Sequence, residues 1–247
     1  LAEQKQDVAR LSLGKRIAAR LIPIWRRTNP FLTDYKVCMA FESLGENCEF
    51  GFVQSHFGAE PLGLLRFSGV TVDQLIDALD HDFEGVGEPD QTEVHLNPEG
   101  GEYLSIDTRY RFSSHSMVLA NAATEAEAAV LIQRRGKFLK RKMLEDLRSP
   151  LKIYVFQSPH EIAATQMLSL LSALRRHGPA RLLFVRPDPD PALQGTATQL
   201  EEGLMLGYTD RPGNADGVWA PSHALWIRLL RHALKLCGAE RAARLGL

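Results

Sequence analysis

The sequence predicts an α/β fold: a mixed or parallel sheet between flanking helices in a three-layer arrangement, with a β-hairpin insertion and an N-terminal amphipathic helix. Three observations carry this reading. Residues 151–156 and 181–185 are short apolar runs on either side of a helical pattern that stops at Gly178, the signature of a βαβ unit with a right-handed crossover. Residues 35–41 form another apolar run, leading into a Gly turn and a short helical stretch. Residues 92–119 alternate apolar and polar positions around Asn97-Pro-Glu-Gly-Gly101, which marks a hairpin or small meander.

Residues 1–30 read as a helical extension and 31–247 as one α/β domain. In the extension, Val8, Leu11, Ile17, Leu21 and Ile24 share one side of a helix over 5–27, opposite Lys15, Arg16 and Arg20. Pro23 kinks or ends that helix. A basic amphipathic helix with Trp25 near its end suits peripheral contact with an anionic membrane, and equally suits packing on the domain or on a neighbouring chain.

The domain begins with a strand over 35–41. A short helix through Cys48, Phe52 and Phe57 follows, stopped by Gly58, and the apolar segment 62–67 reads as a second strand. Thr71-Val-Asp-Gln74 is a capping box opening a helix that ends near Phe83-Glu-Gly85. After the meander, Thr124-Glu-Ala-Glu127 is a second capping box, before a long helix ending at Ser149-Pro150. Ser158-Pro-His-Glu161 combines a third capping box with Pro at the first helical position. Pro187, Pro189 and Pro191 mark an irregular loop, 204–208 a last strand, and Pro221-Ser222 the start of a final amphipathic helix.

Composition excludes several classes. The apolar fraction of 45% and charged fraction of 24% belong to an ordinary globular protein. No apolar run approaches the roughly 20 residues of a membrane span. Cys38, Cys48 and Cys237 form no disulfide framework and have no zinc spacing, so a reducing cytoplasm is the expected compartment and no metal is expected. The net charge of −1 hides segregation. No Lys or Arg lies between Arg66 and Arg109, whereas basic residues gather near residues 15–27, 134–142 and 228–235. Without interleaved aromatics, these basic stretches read as solvated helix faces rather than a nucleic-acid surface. No P-loop, GxGxxG after a strand, HExxH, GxSxG or EF-hand pattern is present.

The segment that carries chemistry is Ser43-Leu-Gly-Glu-Asn-Cys-Glu-Phe-Gly51. It places Cys48 after a strand and a Gly turn, where a helix begins. The unpaired N–H groups and positive dipole end there favour a thiolate, while Glu46 and Glu49 oppose it. A cysteine nucleophile needs a base and an oxyanion stabiliser. His115, at a predicted strand end, is the favoured base. His160, in the first turn after strand 151–156, follows it. Asn47 and backbone N–H groups would hold the oxyanion. Arg66 and Arg186, at strand ends, are candidates for holding phosphate or carboxylate.

The run from Ser43 to Cys48, with Leu64-Leu-Arg66 downstream and Phe184-Val-Arg186 later, resembles a bacterial family of papain-like cysteine peptidase domains, largely of unknown function. Where many members have Pro-Phe-Asp-Trp, this chain has Phe67-Ser-Gly69. The resemblance implies Cys48 as nucleophile, His115 as its base, and Arg66 and Arg186 as pocket residues. The Gly-Glu-Asn-Cys turn is also similar to that of a capsule-biosynthesis family that looks like a coenzyme A-dependent acyltransferase, which implies coenzyme A as an acyl donor. The expected function is therefore a cysteine-dependent hydrolase or acyltransferase acting on a small molecule or glycan, within cell-envelope polysaccharide metabolism. The alternative is a non-catalytic module binding a glycan, nucleotide or protein in a polysaccharide-assembly system.

Overall fold

A computed structural model describes residues 33–97, 99–211 and 220–244, with side chains to 238. The amphipathic helix expected over 5–27 lies outside the described residues. Within them the elements run α1 (Asp34–Met39), β1 (Phe41–Ser43), α2 (Glu49–His56), β2 (Ser68–Gly69), α3 (Val72–Asp80), a 3₁₀ turn (Pro89–Gln91), β3 (Thr92–Asn97), β4 (Glu102–Asp107) and β5 (Ser113–Leu119). They continue with α4 (Glu125–Leu147), β6 (Ile153–Gln157), α5 (Ala164–Arg175), β7 (Leu182–Pro187), β8 (Ala197–Glu201), β9 (Leu204–Thr209) and α6 (His223–Arg244).

The expected α/β class is what the structure shows. A five-stranded sheet has the order β1-β6-β7-β9-β8, parallel except for the β8–β9 hairpin. Alternation along its strands sends side chains to two separate cores. Tyr154, Phe156, Leu182, Phe184 and Leu204 face a core shared with α3, α4 and α5. Ile153, Val155, Leu183, Val185 and Met205 face a core shared with α1, α2 and α6, centred on the fully buried Trp226. The stretch between β1 and β6 carries a second, antiparallel sheet, β2-β5-β4-β3, which is the expected hairpin insertion. Glu46 joins the two sheets by an antiparallel bridge to Val70.

Two of the capping boxes hold as expected. Thr71 and Gln74 cap α3, and Thr124 and Glu127 cap α4, each box closed in both directions and each worth about 1 kcal/mol. Three expectations are corrected. The segment 35–41 is helix α1 rather than strand. Thr33 Oγ1 accepts from Lys36 N, and Val37 and Cys38 face the core one turn before Phe41, so the apolar spacing serves a helix. Strand β1 starts only at Phe41, and its pairing continues through Leu44 N to Val155 O and Glu46 N to Gln157 O.

The segment 62–67 forms turns instead of a strand. Arg66 there is buried and bonded to the backbone of Gly51 and Ala59, which holds the loop against α2. Ser158 does not start a helix. Its N–H is still bonded to β7 through Val185 O at 2.9 Å, and its Oγ accepts from His160 N at 3.1 Å, a local turn that competes with capping. Helix α5 begins six residues later. Strand β8 was not expected at all: it is a mostly exposed edge with polar side chains at Thr198, Gln199 and Glu201, which carries no alternating apolar signal.

Candidate active site

Cys48 occupies the N-cap position of α2, at the carboxyl edge of the parallel sheet, as the strand–turn–helix reading requires. It is only 7% exposed. Its chemistry differs from the expectation. Burial and then the charge of Glu102 push the Cys48 thiol up to about 11. With a thiol at about 11, roughly one sulfur in 10⁴ is thiolate at neutral pH. Among the flanking acids, Glu49 is itself buried and accepts from Trp226 Nε1 at 2.8 Å. The acid acting on the sulfur comes from β4.

Glu102 is the site residue that sequence reasoning missed. Its Oε2 lies 3.1 Å from His115 Nδ1, and its Oε1 accepts from Met117 N at 2.6 Å. Met117 has φ 59°, at an irregularity in the β4–β5 pairing. That irregularity frees the N–H which fixes the carboxylate. Glu102 thus orients His115 and at the same time acts on Cys48. A Glu beginning a strand, across a hairpin from a candidate His, was the available signal. Among the described residues, Cys48 sulfur makes no hydrogen bond to His115.

Asn47 precedes Cys48 in the chain, and its Oδ1 accepts from Glu49 N at 2.9 Å. The side chain therefore forms an Asx turn leading into α2 and keeps its Nδ2 as a donor. Arg66 lines a cleft, as expected of a pocket residue, and its guanidinium is engaged by protein partners. One guanidinium nitrogen pairs with Glu60, and the other donates to Gly51 O, Ser55 Oγ and Ala59 O. It is a structural clamp between α2 and the 59–66 loop. Arg186 stands at the end of β7, over the Tyr208 ring and 3.3 Å from Glu161. The exposed His160 belongs to the same 158–162 turn as Glu161. These two lie along the carboxyl edge, Arg186 two strands from the Cys48 turn.

Along that edge, Arg186 and Glu46 are joined by further buried polar groups. Glu46 Oε2, both amide atoms of Gln157, Arg186 Nε, Thr209 Oγ1 and Asp210 Oδ1 are buried without hydrogen-bond partners. They stand at or just after the carboxyl ends of β1, β6, β7 and β9, where open α/β sheets place ligands. A cleft of about 440 Å³ opens on the other side of the junction, between the 60–68 loop, the antiparallel sheet and α4. Its lining includes Arg66 and His115.

Among the described residues, no group of three His, Cys, Asp or Glu side chains could hold a metal ion, and no helix is long and apolar enough to cross a membrane. No family model, curated protein or solved structure matches this chain.

Proposed function

We propose that the chain is a cysteine-dependent acyl-transfer enzyme, a hydrolase or acyltransferase, in which Cys48 is the nucleophile, His115 its base and Glu102 the orienting acid. The observation that carries this reading is the 3.1 Å contact between Glu102 and His115, made by a carboxylate whose charge also reaches Cys48. A carboxylate on Nδ1 fixes the imidazole tautomer and leaves Nε2 as the base. The sulfur proton passes to Nε2 as sulfur bonds to the acyl carbon. Asn47 Nδ2 and N–H groups at the start of α2 are the donors available to the oxyanion. The leaving group takes the proton from His115 and departs, giving a thioester. Water or an acceptor hydroxyl, deprotonated by His115, then resolves it. Because the resting sulfur is a buried thiol, attack is coupled to proton transfer within the substrate complex.

p-Nitrophenyl acetate with intact-mass detection tests this. A single acetyl adduct should form on Cys48, disappear in Cys48→Ala and form at least tenfold more slowly in His115→Ala and Glu102→Gln. Labelling of His115→Ala at the wild-type rate would refute the assignment of the base. The papain-like peptidase resemblance, a role in polysaccharide metabolism and coenzyme A as acyl donor belong to this same proposal.

The orphaned polar atoms of the carboxyl edge favour a second reading, a module that binds a glycan or nucleotide without chemistry. Each buried unpaired group costs about 1–3 kcal/mol, and a ligand that paired with Gln157 would recover that cost. In this reading, Gln157→Leu stabilises the free protein and abolishes any thermal shift with sugar nucleotides. A Gln157→Leu protein that melts lower and still responds to them would count against it.

A further inference from the structure

The 440 Å³ cleft has a floor built in a regular way. Ser68 on β2, Ser114 on β5 and Ser105 on β4 lie side by side across three strands, in register. Ser68 Oγ and Ser114 Oγ are 2.7 Å apart. One step along β4 on the same face, Asp107 accepts from Tyr110 N with Oδ1, while its Oδ2 is buried without a partner. Lower on this face, Tyr103 and Val118 pack against Ala128 and Ile132 of α4. At the level of the serines the side chains are too short to reach the helix, and the gap is the cleft. The walls are apolar and aromatic: Leu64, Phe67, Phe112, Ile132 and Phe138. Phe138 is 43% exposed and Leu62, also in the lining, 58% exposed.

We infer that this cleft is a binding site for a neutral, hydroxyl-rich ligand, a saccharide ring carrying an apolar substituent. Three hydroxyls and a free carboxylate oxygen match a ligand whose edge both donates and accepts hydrogen bonds. The aromatic and aliphatic walls match its C–H faces and its tail. Charge argues against the two rival heads. Arg109 and Lys140 already act on Asp107, and Arg135, which donates to Ser116 O, also lines the cleft, so an ammonium head would meet cations. An anionic head would meet the Asp107 carboxylate, while the arginines of the lining are already engaged, Arg66 by Glu60, Gly51 O and Ala59 O and Arg135 by Ser116 O. The site stands on its own geometry and does not depend on Cys48 being a nucleophile.

Titration with n-octyl β-D-glucoside below its micelle concentration, followed by ¹H–¹⁵N NMR on the Cys48→Ala protein, tests this without involving catalysis. Saturable shifts are expected at the amides of Ser105, Asp107 and Ser114. Binding should weaken at least tenfold in Asp107→Asn, which places an amide donor where the acceptor stood, and in Ser105→Val, which fills the gap. Ser105→Val keeps the strand and its packing, so it separates loss of the site from loss of the fold. Octyltrimethylammonium or octanoate binding more tightly than the glucoside would overturn the choice of head group. Shifts that never saturate, or that survive both substitutions, would overturn the site.

Discussion

In the five-stranded sheet, β6 is buried along its whole length and β7 over its first four residues, with helices on both faces. In the four-stranded sheet, β3 and β5 alternate between covered and exposed positions, and α4 covers one face only. The first sheet holds two of the three apolar cores. The second holds a small cluster, a row of serines and the groups that face solvent, His115 among them. The division separates the larger apolar cores from the open face that carries His115 and Glu102. Titratable side chains are affordable where one face is open, and the Glu46–Val70 bridge ties the Cys48 turn to that sheet.

The largest test of this difference compares core deletions. Leu183 is fully buried between β6 and β9 and packs against Gly207. Leu183→Ala should cost about 3–4 kcal/mol in urea unfolding. Ile132 is 8% exposed and borders the cleft, so its deletion leaves no closed cavity, and Ile132→Ala should cost only about 2 kcal/mol. Equal losses would break the comparison.

A buried acid inside the first sheet sharpens it. Glu42 is 1% exposed, and burial holds its carboxyl above the ordinary 4.5, with Lys152 at 3.5 Å opposing. The folded state therefore binds the proton more tightly than the unfolded chain. This part of the stability is complete below 4.5 and is lost as pH rises above it. Glu42→Gln mimics the protonated form. It should match the wild type near pH 4 and gain on it as pH rises. Urea midpoints at several pH values read this directly, and a difference that stays flat with pH would contradict the burial argument.

The junction gives the third test. Iodoacetamide labelling of Cys48, followed by mass spectrometry, should keep accelerating up to about pH 11, where its thiol titrates. Removing the Glu102 charge removes one of the two causes of that elevation. Glu102→Gln should therefore lower the titration midpoint and speed this alkylation, which reports the free thiolate, severalfold at pH 8, although it slows the acylation that depends on His115 as base. Cys38, wholly buried and pushed up to about 12, should stay unlabelled. Unchanged labelling in Glu102→Gln would dissociate β4 from the Cys48 turn.

The same contrast explains what was legible in the chain. Strands 151–156 and 181–185 are continuous apolar runs because both faces are covered, and they read plainly. The meander read plainly through its alternation and its Asn-Pro-Glu-Gly-Gly turn. Segment 35–41 misled because a six-residue helix with one buried face has the same apolar content as a short strand, and only the Thr33 cap separates them. Of the site, Cys48, Asn47 and His115 were visible from motif and position. Glu102 was not, because its role depends on a pairing irregularity that places Met117 N–H beneath its carboxylate. Arg66 was visible as a residue but not as a clamp, since its partners come from residues 51 to 60.

The smallest expected effect lies where α3 leaves the first sheet's core for the second sheet. The helix was expected to run to 83–85, but it stops at Asp80. Phe83 N bonds to Ala78 O at 2.7 Å and Asp82 N to Leu79 O at 3.3 Å, the paired bonds of a Schellman ending. Asp82 occupies the left-handed position with φ 53°, and Phe83 follows as the fully buried apolar anchor. Glycine is the residue that position favours, because a Cβ there costs about 1 kcal/mol. Asp82→Gly relieves that strain, while the unfolded chain gains freedom and the exposed contact of Asp82 with His177 at 3.5 Å is lost. The balance should be a gain of roughly 0.5 kcal/mol, seen as a small rise in melting temperature. Asp82→Val, with a branched Cβ in the same conformation, should fall by more than 1 kcal/mol. If both substitutions destabilise equally, the contact to His177 outweighs the backbone, and the helix end is held by its side chains instead of by its turn.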